Sequence, residues 1–310
     1  MAIERVGTFA STQLLLSQIQ RAESNLNTTD QQVASGKLAD NYSGYGDKTA
    51  LMEAARSSAA RADANVASAQ QASTRLDLQD SLLSQLGEVA QNVRETLTKA
   101  AADQDATSLM TTLQGYFAQA VQILNSKDAN GYIFGGDNNQ VPPVTVSDLS
   151  QLGSMFGVSG AFANGSVKTS VRVGDNETVQ VGLLASDIGT QLFSLFQQVQ
   201  QFDSGFNGPF NAKTSASQQS FLEGTIQTAA NAATGVNAEA AGNGIRYKQV
   251  QDSITQLQST STVYKGFVSN LEDVDMAQAL SKLQQNQVAL QAAFQMTSTL
   301  NQISLLNYLN

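Results

Sequence analysis

MAQALSKLQQNQVALQAAFQMTSTLNQISLLNYLN, residues 276–310, holds one charged side chain, Lys282. Leu280, Leu283, Leu290, Ala293, Phe294, Leu300, Ile303, Leu306 and Leu309 supply the apolar positions, and Gln, Asn, Ser and Thr fill most of the rest. No Pro or Gly follows Gly266, and Asp273 and Asp275 lie where negative charge suits a helix start. The pattern predicts a helix over 271–310. At 1.5 Å per residue, about 40 residues reach roughly 60 Å, longer than a small domain is wide. Ile303, Leu306 and Leu309 drift around that helix instead of keeping one stripe. A helix on the surface of a globular protein carries charge on its outer face. This one does not, so its own chain is not expected to cover it alone.

The opposite end has the same character. No charged residue lies between Val6 and Gln20. Phe9, Thr12, Leu16, Ile19, Leu26 and Val33 recur at steps of three, four, three, seven and seven, which is helical spacing close to a heptad. Gly36 after Ser35 reads as a helix stop. Phe9, Leu16, Ile19, Leu26, Leu283, Leu290, Phe294, Leu300, Ile303 and Leu306 are therefore the candidate subunit-packing residues. The competing reading is a pair of ordinary core helices in a large domain. Against it, chain termini are usually solvated.

Between the ends, residues 48–127 read as helix without Pro, and Leu76, Leu83, Leu86, Val89, Val93 and Leu97 recur at three and four. Arg56, Arg61, Asp63, Arg75 and Asp77 provide a solvated face. Asn130-Gly131, Gly135-Gly136 and Pro142-Pro143 signal a break. Beyond it, alternation around Gly174-Asp175-Asn176 predicts a hairpin, 168–173 with 178–182. Helical pattern returns at 192–202 and at 217–271, weakened by Gly224, Gly235, Gly242 and Gly244. The expected fold is mainly α, with long terminal helices, a helical bundle and a small β-rich insert. The expected domains are an N-terminal assembly helix (1–40), two halves of a bundle (41–136 and 191–270), a β-rich outer domain (137–190) projecting from the far end of that bundle, and a C-terminal assembly helix (271–310).

Composition narrows the chemistry. Hydrophobic residues make up 41% of the chain and aromatic ones 6%, with no Trp, which predicts an aliphatic, Ala-rich core. A net charge of −9 disfavours nucleic acid and anionic membranes, which reward clustered Lys and Arg. Without Cys or His, the chain has no disulfide, no thiolate and no imidazole base or ligand. Gly135-Gly136-Asp137 lacks the Lys and Ser/Thr of a phosphate loop. Glu272, Asp273 and Asp275 lack EF-hand spacing and read as helix N-terminal charge, and Tyr42, Tyr45 and Tyr132 as packing or turn residues. No catalytic, cofactor or metal residue is assigned, and the chain is not expected to be an enzyme. The first residues, Met1 to Val6, lack the basic and apolar regions of a signal peptide, which by itself points to the cytoplasm. Absent Cys suits an extracellular protein without disulfides equally well.

Leu271-Glu272-Asp273-Val274-Asp275-Met276-Ala277-Gln278-Ala279, followed by Leu283, Gln287, Leu290 and Gln291, resembles the C-terminal signature of the bacterial flagellin family. Asn25-Leu26 and Val33-Ala34-Ser35-Gly36-Lys37 resemble its turn after the first helix. Asn130-Gly131-Tyr132-Ile133-Phe134-Gly135-Gly136, the segment Val171 to Val179 and the ending Ser304 to Leu309 resemble the hook-associated protein 3 branch of that family, at the hook–filament junction. Asn41 to Lys48 departs from the family by holding one Asp, Asp47, where two are usual. The resemblance implies a structural flagellar subunit whose termini form an inner helical tube and whose insert faces outward. The partners it implies are copies of the chain, a hook-side junction protein, filament flagellin or a filament cap, and an export chaperone on the C-terminal region. It also implies type III export without a cleaved signal, hence an extracellular location. The alternatives are a filament flagellin, marked against by the Gly131–Gly136 turn, and a hydrolase on a helical scaffold.

Overall fold

The computed structural model describes the backbone of residues 2–309 and the side chains of residues 13–299. Seven α-helices follow in chain order among the described residues: α1 (Ala2–Ser35), α2 (Thr49–Asp103), α3 (Leu109–Leu124), α4 (Leu149–Ser154), α5 (Ala185–Asp203), α6 (Ala216–Glu272) and α7 (Met276–Leu309). Four short strands pair as two antiparallel hairpins, β1 (Lys127–Asp128) with β2 (Gly131–Tyr132) and β3 (Ser170–Arg172) with β4 (Thr178–Gln180). The chain divides into two compact units, one of residues 1–61 and 260–310, the other of residues 62–259.

The second unit holds the main core. Along α2, buried Ala69, Ala72, Leu76, Gln79, Leu83, Leu86, Ala90, Val93 and Leu97 alternate steps of three and four. Along α6, Leu222, Ala229, Val236, Asn243 and Val250 recur every seven. Such spacings hold one helical stripe against a partner. Hydrogen bonds from Asn243 Nδ2 to the Leu76 carbonyl (2.8 Å), from Gln251 Nε2 to Ser73 Oγ (2.6 Å) and from Gln219 Nε2 to the Ala101 carbonyl (2.9 Å) show the two helices running antiparallel. The glycines of α6 do not interrupt it. A Cβ on Gly235 would come 2.7 Å from Gln191 Oε1 of α5, so that glycine permits close packing.

Three features differ from expectation. The helical pattern over 48–127 is broken at Gln104, whose φ is +52°, and Asp105 closes the turn by accepting from Thr107 N (2.9 Å) and Oγ1 (2.6 Å). The core is not uniformly aliphatic, because the few aromatics are concentrated. Phe117 meets Phe193 and Phe196 at centroid distances of 5.2 and 5.4 Å, and Phe202 stacks on Phe221 at 4.0 Å. Finally, β3 and β4 do not project beyond the α2–α6 pair. Val173, Val179 and Val181 pack with Ala69, Ala72, Leu76, Val250 and Ile254, along the helices and away from the α2-to-α3 turn. The strands are three residues each, and the rest of the insert is loop with the short α4.

The Gly131–Gly136 turn is structural. Ile133 and Phe134 are buried, and Ala185 N donates to the Phe134 carbonyl at 3.0 Å. Gly131 has φ +119°, and a Cβ there would lie 2.4 Å from the Asn139 carbonyl oxygen. Its amides are already engaged: Tyr132 N donates to Asn139 O, Ile133 N to Ser126 O and Gly135 N to Tyr132 O. None of these three is free to cradle a phosphate. Gly131→Ala is expected to cost about 2–3 kcal/mol through forced backbone strain, read as a lower midpoint in urea unfolding with an unchanged slope.

Candidate assembly interface

In the first unit, the two segments that mark the sequence ends meet in space. Gly36, at φ +72°, ends α1 with its N–H on the Gln32 carbonyl at 2.9 Å. The chain then runs against the α6–α7 connection. Leu38 N donates to the Glu272 carbonyl at 2.7 Å and Val274 N donates to the Gly36 carbonyl at 2.9 Å, which pairs the Lys37 and Asp273 backbones as a single antiparallel β-bridge. Glu272, 7% exposed, is held at 2.5 Å by both Lys37 Nζ and Arg56 Nη2. Asp275 caps α7, accepting from Ala277 N (3.0 Å) and Gln278 N (3.2 Å), and Asp273 accepts from the Ser269 hydroxyl. Each of the three carboxylates thus has a structural partner. Among the described residues no group of three or more carboxylates is arranged to hold a metal ion.

The loop that departs from the family closes on itself. Tyr45 Oη donates to the Ala39 carbonyl at 2.6 Å, and Asn41 Oδ1 accepts from Gly44 N at 3.2 Å. Arg56 lies 5.9 Å from the Tyr42 ring centroid and also pairs with Glu53 at 3.1 Å. Tyr42 and Tyr45 are accordingly packing and turn residues.

Charge sets the pH response of this cluster. The Lys37 ammonium, hydrogen-bonded to Glu272, holds that carboxyl below its ordinary 4.5 against the opposing effect of burial, with Arg56 adding to it. The Glu272 carboxylate in turn raises Lys37 above 10.5. A depressed carboxyl contributes stability that is full above its unfolded value and lost as pH falls through its folded one; a raised ammonium contributes below its unfolded value and loses this as pH rises through its folded one. The cluster is therefore strongest between about pH 5 and 10. Glu272→Gln should lower stability at pH 7 by about 1 kcal/mol, a modest loss because the Lys37 and Arg56 side chains, 49% and 34% exposed, regain water. Thermal melts at pH 7 and pH 3 check this. The difference between variant and parent should be smaller at pH 3 than at pH 7, because below 4.5 the unfolded chain takes up a proton that the lowered Glu272 carboxyl of the folded chain resists.

Helices α1 and α7 pack on each other, antiparallel. On α1 the covered side is Leu15, Ile19, Ala22, Leu26, Thr29 and Val33; on α7 it is Ala279, Leu283, Asn286, Leu290, Ala293 and Thr297. Both run in steps of four, three, four, three and four, the coiled-coil seam spacing. Asn286 Nδ2 donates to Thr29 Oγ1 across it at 3.0 Å. Of the predicted packing residues, Ile19 is buried there and Leu26, Leu283 and Leu290 are half-buried, so these four serve the chain's own helix pair. Leu16 and Phe294 stay open, 52% and 51% exposed. The side chains of Phe9, Leu300, Ile303 and Leu306 lie outside the described residues. The open faces also hold Leu14, Leu280, Val288 and Met296, of which Leu14, Val288 and Met296 are more than half exposed. The predicted set omits these four: Leu14, Val288 and Met296 fall off its heptad spacing, whereas Leu280 lies on it, two heptads before Phe294. The available signal was a large apolar residue anywhere in a charge-free stretch.

This helix pair exposes Leu14, Leu16, Val288, Phe294 and Met296 on outer faces that hold few charges, Arg21, Glu23, Asp30 and Lys282 among the described residues. The bacterial flagellin N-terminal helical region matches residues 6–138, and the C-terminal helical region matches residues 226–309. The chain belongs to the bacterial flagellin family. Among flagellin-family proteins, flagellar hook-associated protein 3 of Salmonella typhimurium is 26% identical over 256 residues, 76% of this chain and 77% of that one. The Escherichia coli protein of the same name is 35% identical over a 77-residue stretch, 24% of its length. In fold, the chain resembles a flagellar hook-associated protein from Vibrio parahaemolyticus at a TM-score of 0.60 and 15% identity, covering 75% of this chain and 99% of that one. It also resembles Bacillus cereus FlgL at 0.54 and 12% identity, covering 70% and 98%. Among the described residues no helix is long and apolar enough to cross a membrane.

Proposed function

We propose that this chain is a structural subunit of the bacterial flagellum that joins hook to filament by helix-on-helix packing of its terminal segments. The observation that carries this reading is the α1–α7 pair. It satisfies one seam internally and leaves Leu14, Leu16, Val288, Phe294 and Met296 in water with almost no charge around them. Apolar faces of this kind gain about 25 cal/mol per Å² when covered. The occupants of those faces are copies of the same chain, with a hook-side junction protein at one end of the zone and filament flagellin or its cap at the other. Export through the flagellar type III apparatus, with a chaperone on the C-terminal region, fits a helix whose final partners exist only in the assembly. No catalytic step is assigned.

The similarity to hook-associated protein 3 supports the junction over the filament. Immunolabelling of isolated flagella tests it. The expected result is label confined to the boundary between hook and filament. Label along the whole filament would replace the junction reading with a polymerising flagellin.

A further inference from the structure

Among the described residues, six buried side-chain atoms lack a hydrogen-bond partner, and five of them belong to four residues: Arg75 Nε, Gln79 Nε2 and Oε1, Asn243 Oδ1 and Arg246 Nη1. All four lie within about one helical turn of one level of the α2–α6 pair. Asn243 Nδ2 bonds to the Leu76 carbonyl, which fixes that level. Gln79 lies three residues beyond Leu76 on α2 and Arg246 three residues beyond Asn243 on α6, about 4.5 Å to opposite sides of that level, and the Arg246 guanidinium turns back to Gly242, 3.9 Å from where a Cβ there would stand, beside Asn243. Gln79 and Asn243 are fully buried and occupy core positions in stripes otherwise filled by Ala, Val, Leu and Ile. Antiparallel pairing brings Ala240, a small side chain, to the level of Gln79. Arg75 is held beside them, its Nη1 on Asp128 Oδ2 at 3.3 Å and its Nη2 on the Ile133 carbonyl at 3.0 Å.

Buried polar atoms in folded proteins are paired with protein or with ordered water. An unpaired amide in a core costs a substantial part of a domain's marginal stability. Five orphans in one place therefore call for a shared ligand, and the donor set says which. Arg75 Nε, Gln79 Nε2 and Arg246 Nη1 donate; Gln79 Oε1 and Asn243 Oδ1 accept. An anion would satisfy the donors and be repelled by the two carbonyl oxygens. A cation would suit the oxygens and be repelled by the two guanidiniums. Water donates and accepts alike, and a buried water typically makes about three hydrogen bonds. We infer that Gln79, Asn243, Arg75 and Arg246 enclose a hydrated polar layer, about two ordered waters by that count, inside the α2–α6 pair.

A crystal structure of the full chain, at a resolution that shows ordered solvent, tests this directly. Water oxygen within hydrogen-bond distance of both Gln79 and Asn243 is the expected result. Amides turned to bond protein groups with no solvent between them, or density too strong for water, would overturn it. Gln79→Leu and Asn243→Leu give a second reading through thermal melts. Each alone should lower Tm by about 3–6 °C, because it strips partners from the shared water. The double variant should lose clearly less than the sum, because the two act through one layer. Additive losses would contradict the layer even if both single variants are less stable.

Discussion

Removing residues 276–310 is expected to abolish incorporation into the flagellum while leaving the unit of residues 62–259 folded. That unit has its own core, built from α2 to α6 with the aromatic group around Phe117, Phe193 and Phe196. The deletion leaves every residue of that core in place. It takes the whole of α7, so Leu15, Ile19, Ala22 and Leu26 of α1 lose the surface they pack on. It also removes the outer residues Val288, Phe294 and Met296. A helix without tertiary cover is marginal in water. Circular dichroism should show a cooperative melt with reduced helical signal. Incorporation, measured by complementing a strain that lacks the gene, should fall at least about 100-fold, since several kcal/mol of packing are lost and each 1.4 is tenfold. Incorporation at the parental level would count against the assembly role of α7.

A pair of single substitutions separates the two faces of that helix. Leu290→Asp places a carboxylate in the covered α1–α7 seam and should cost about 2–3 kcal/mol of helix pairing, with assembly lost as a consequence. Phe294→Asp changes an exposed side chain on the same helix. In the monomer it should shift stability by no more than about 0.5 kcal/mol. In the assembly it puts a charge between helices, so incorporation should fail just as for Leu290→Asp. Hydrogen exchange of the monomer and incorporation of each variant together read this out. If Phe294→Asp assembles normally, its face is not a subunit contact.

The contrast between Leu290 and Phe294 also marks how far the sequence could be read. Charge depletion identified both terminal helices, and Gly36 bounded the first, because a helix stop is local chemistry; the second was drawn from 271, whereas α6 runs on to Glu272 and α7 begins at Met276, after the Asp275 cap. The division of labour within the helices was hidden. Half of the seam is Ala22, Thr29, Ala279, Asn286, Ala293 and Thr297, residues that hardly register as apolar, while large residues such as Leu16 and Phe294 stand beside it. A search for large hydrophobics therefore mixed the inner and outer faces. The position of β3 and β4 was likewise not local. Alternation predicted the hairpin, but only the tertiary contact of Val173 and Val179 with Ala69 and Ala72 shows that it lies along the helices. Ala at those α2 positions makes room for it, and Ala reads equally well as a plain helix former. The Gly131–Gly136 turn identified a branch of the family, yet its role in the fold follows from a close approach to Asn139 that spacing does not reveal.

Hydrogen exchange of residues 13–35 and 276–299, compared between dilute monomer and isolated flagella, tests the central claim most directly. If the terminal helices are surfaces completed by neighbouring subunits, their amides should exchange much faster than those of the α2–α6 core in the monomer and become protected on assembly. Equal, slow exchange in the free chain would mean that α1 and α7 are already complete, and the assembly account would be wrong.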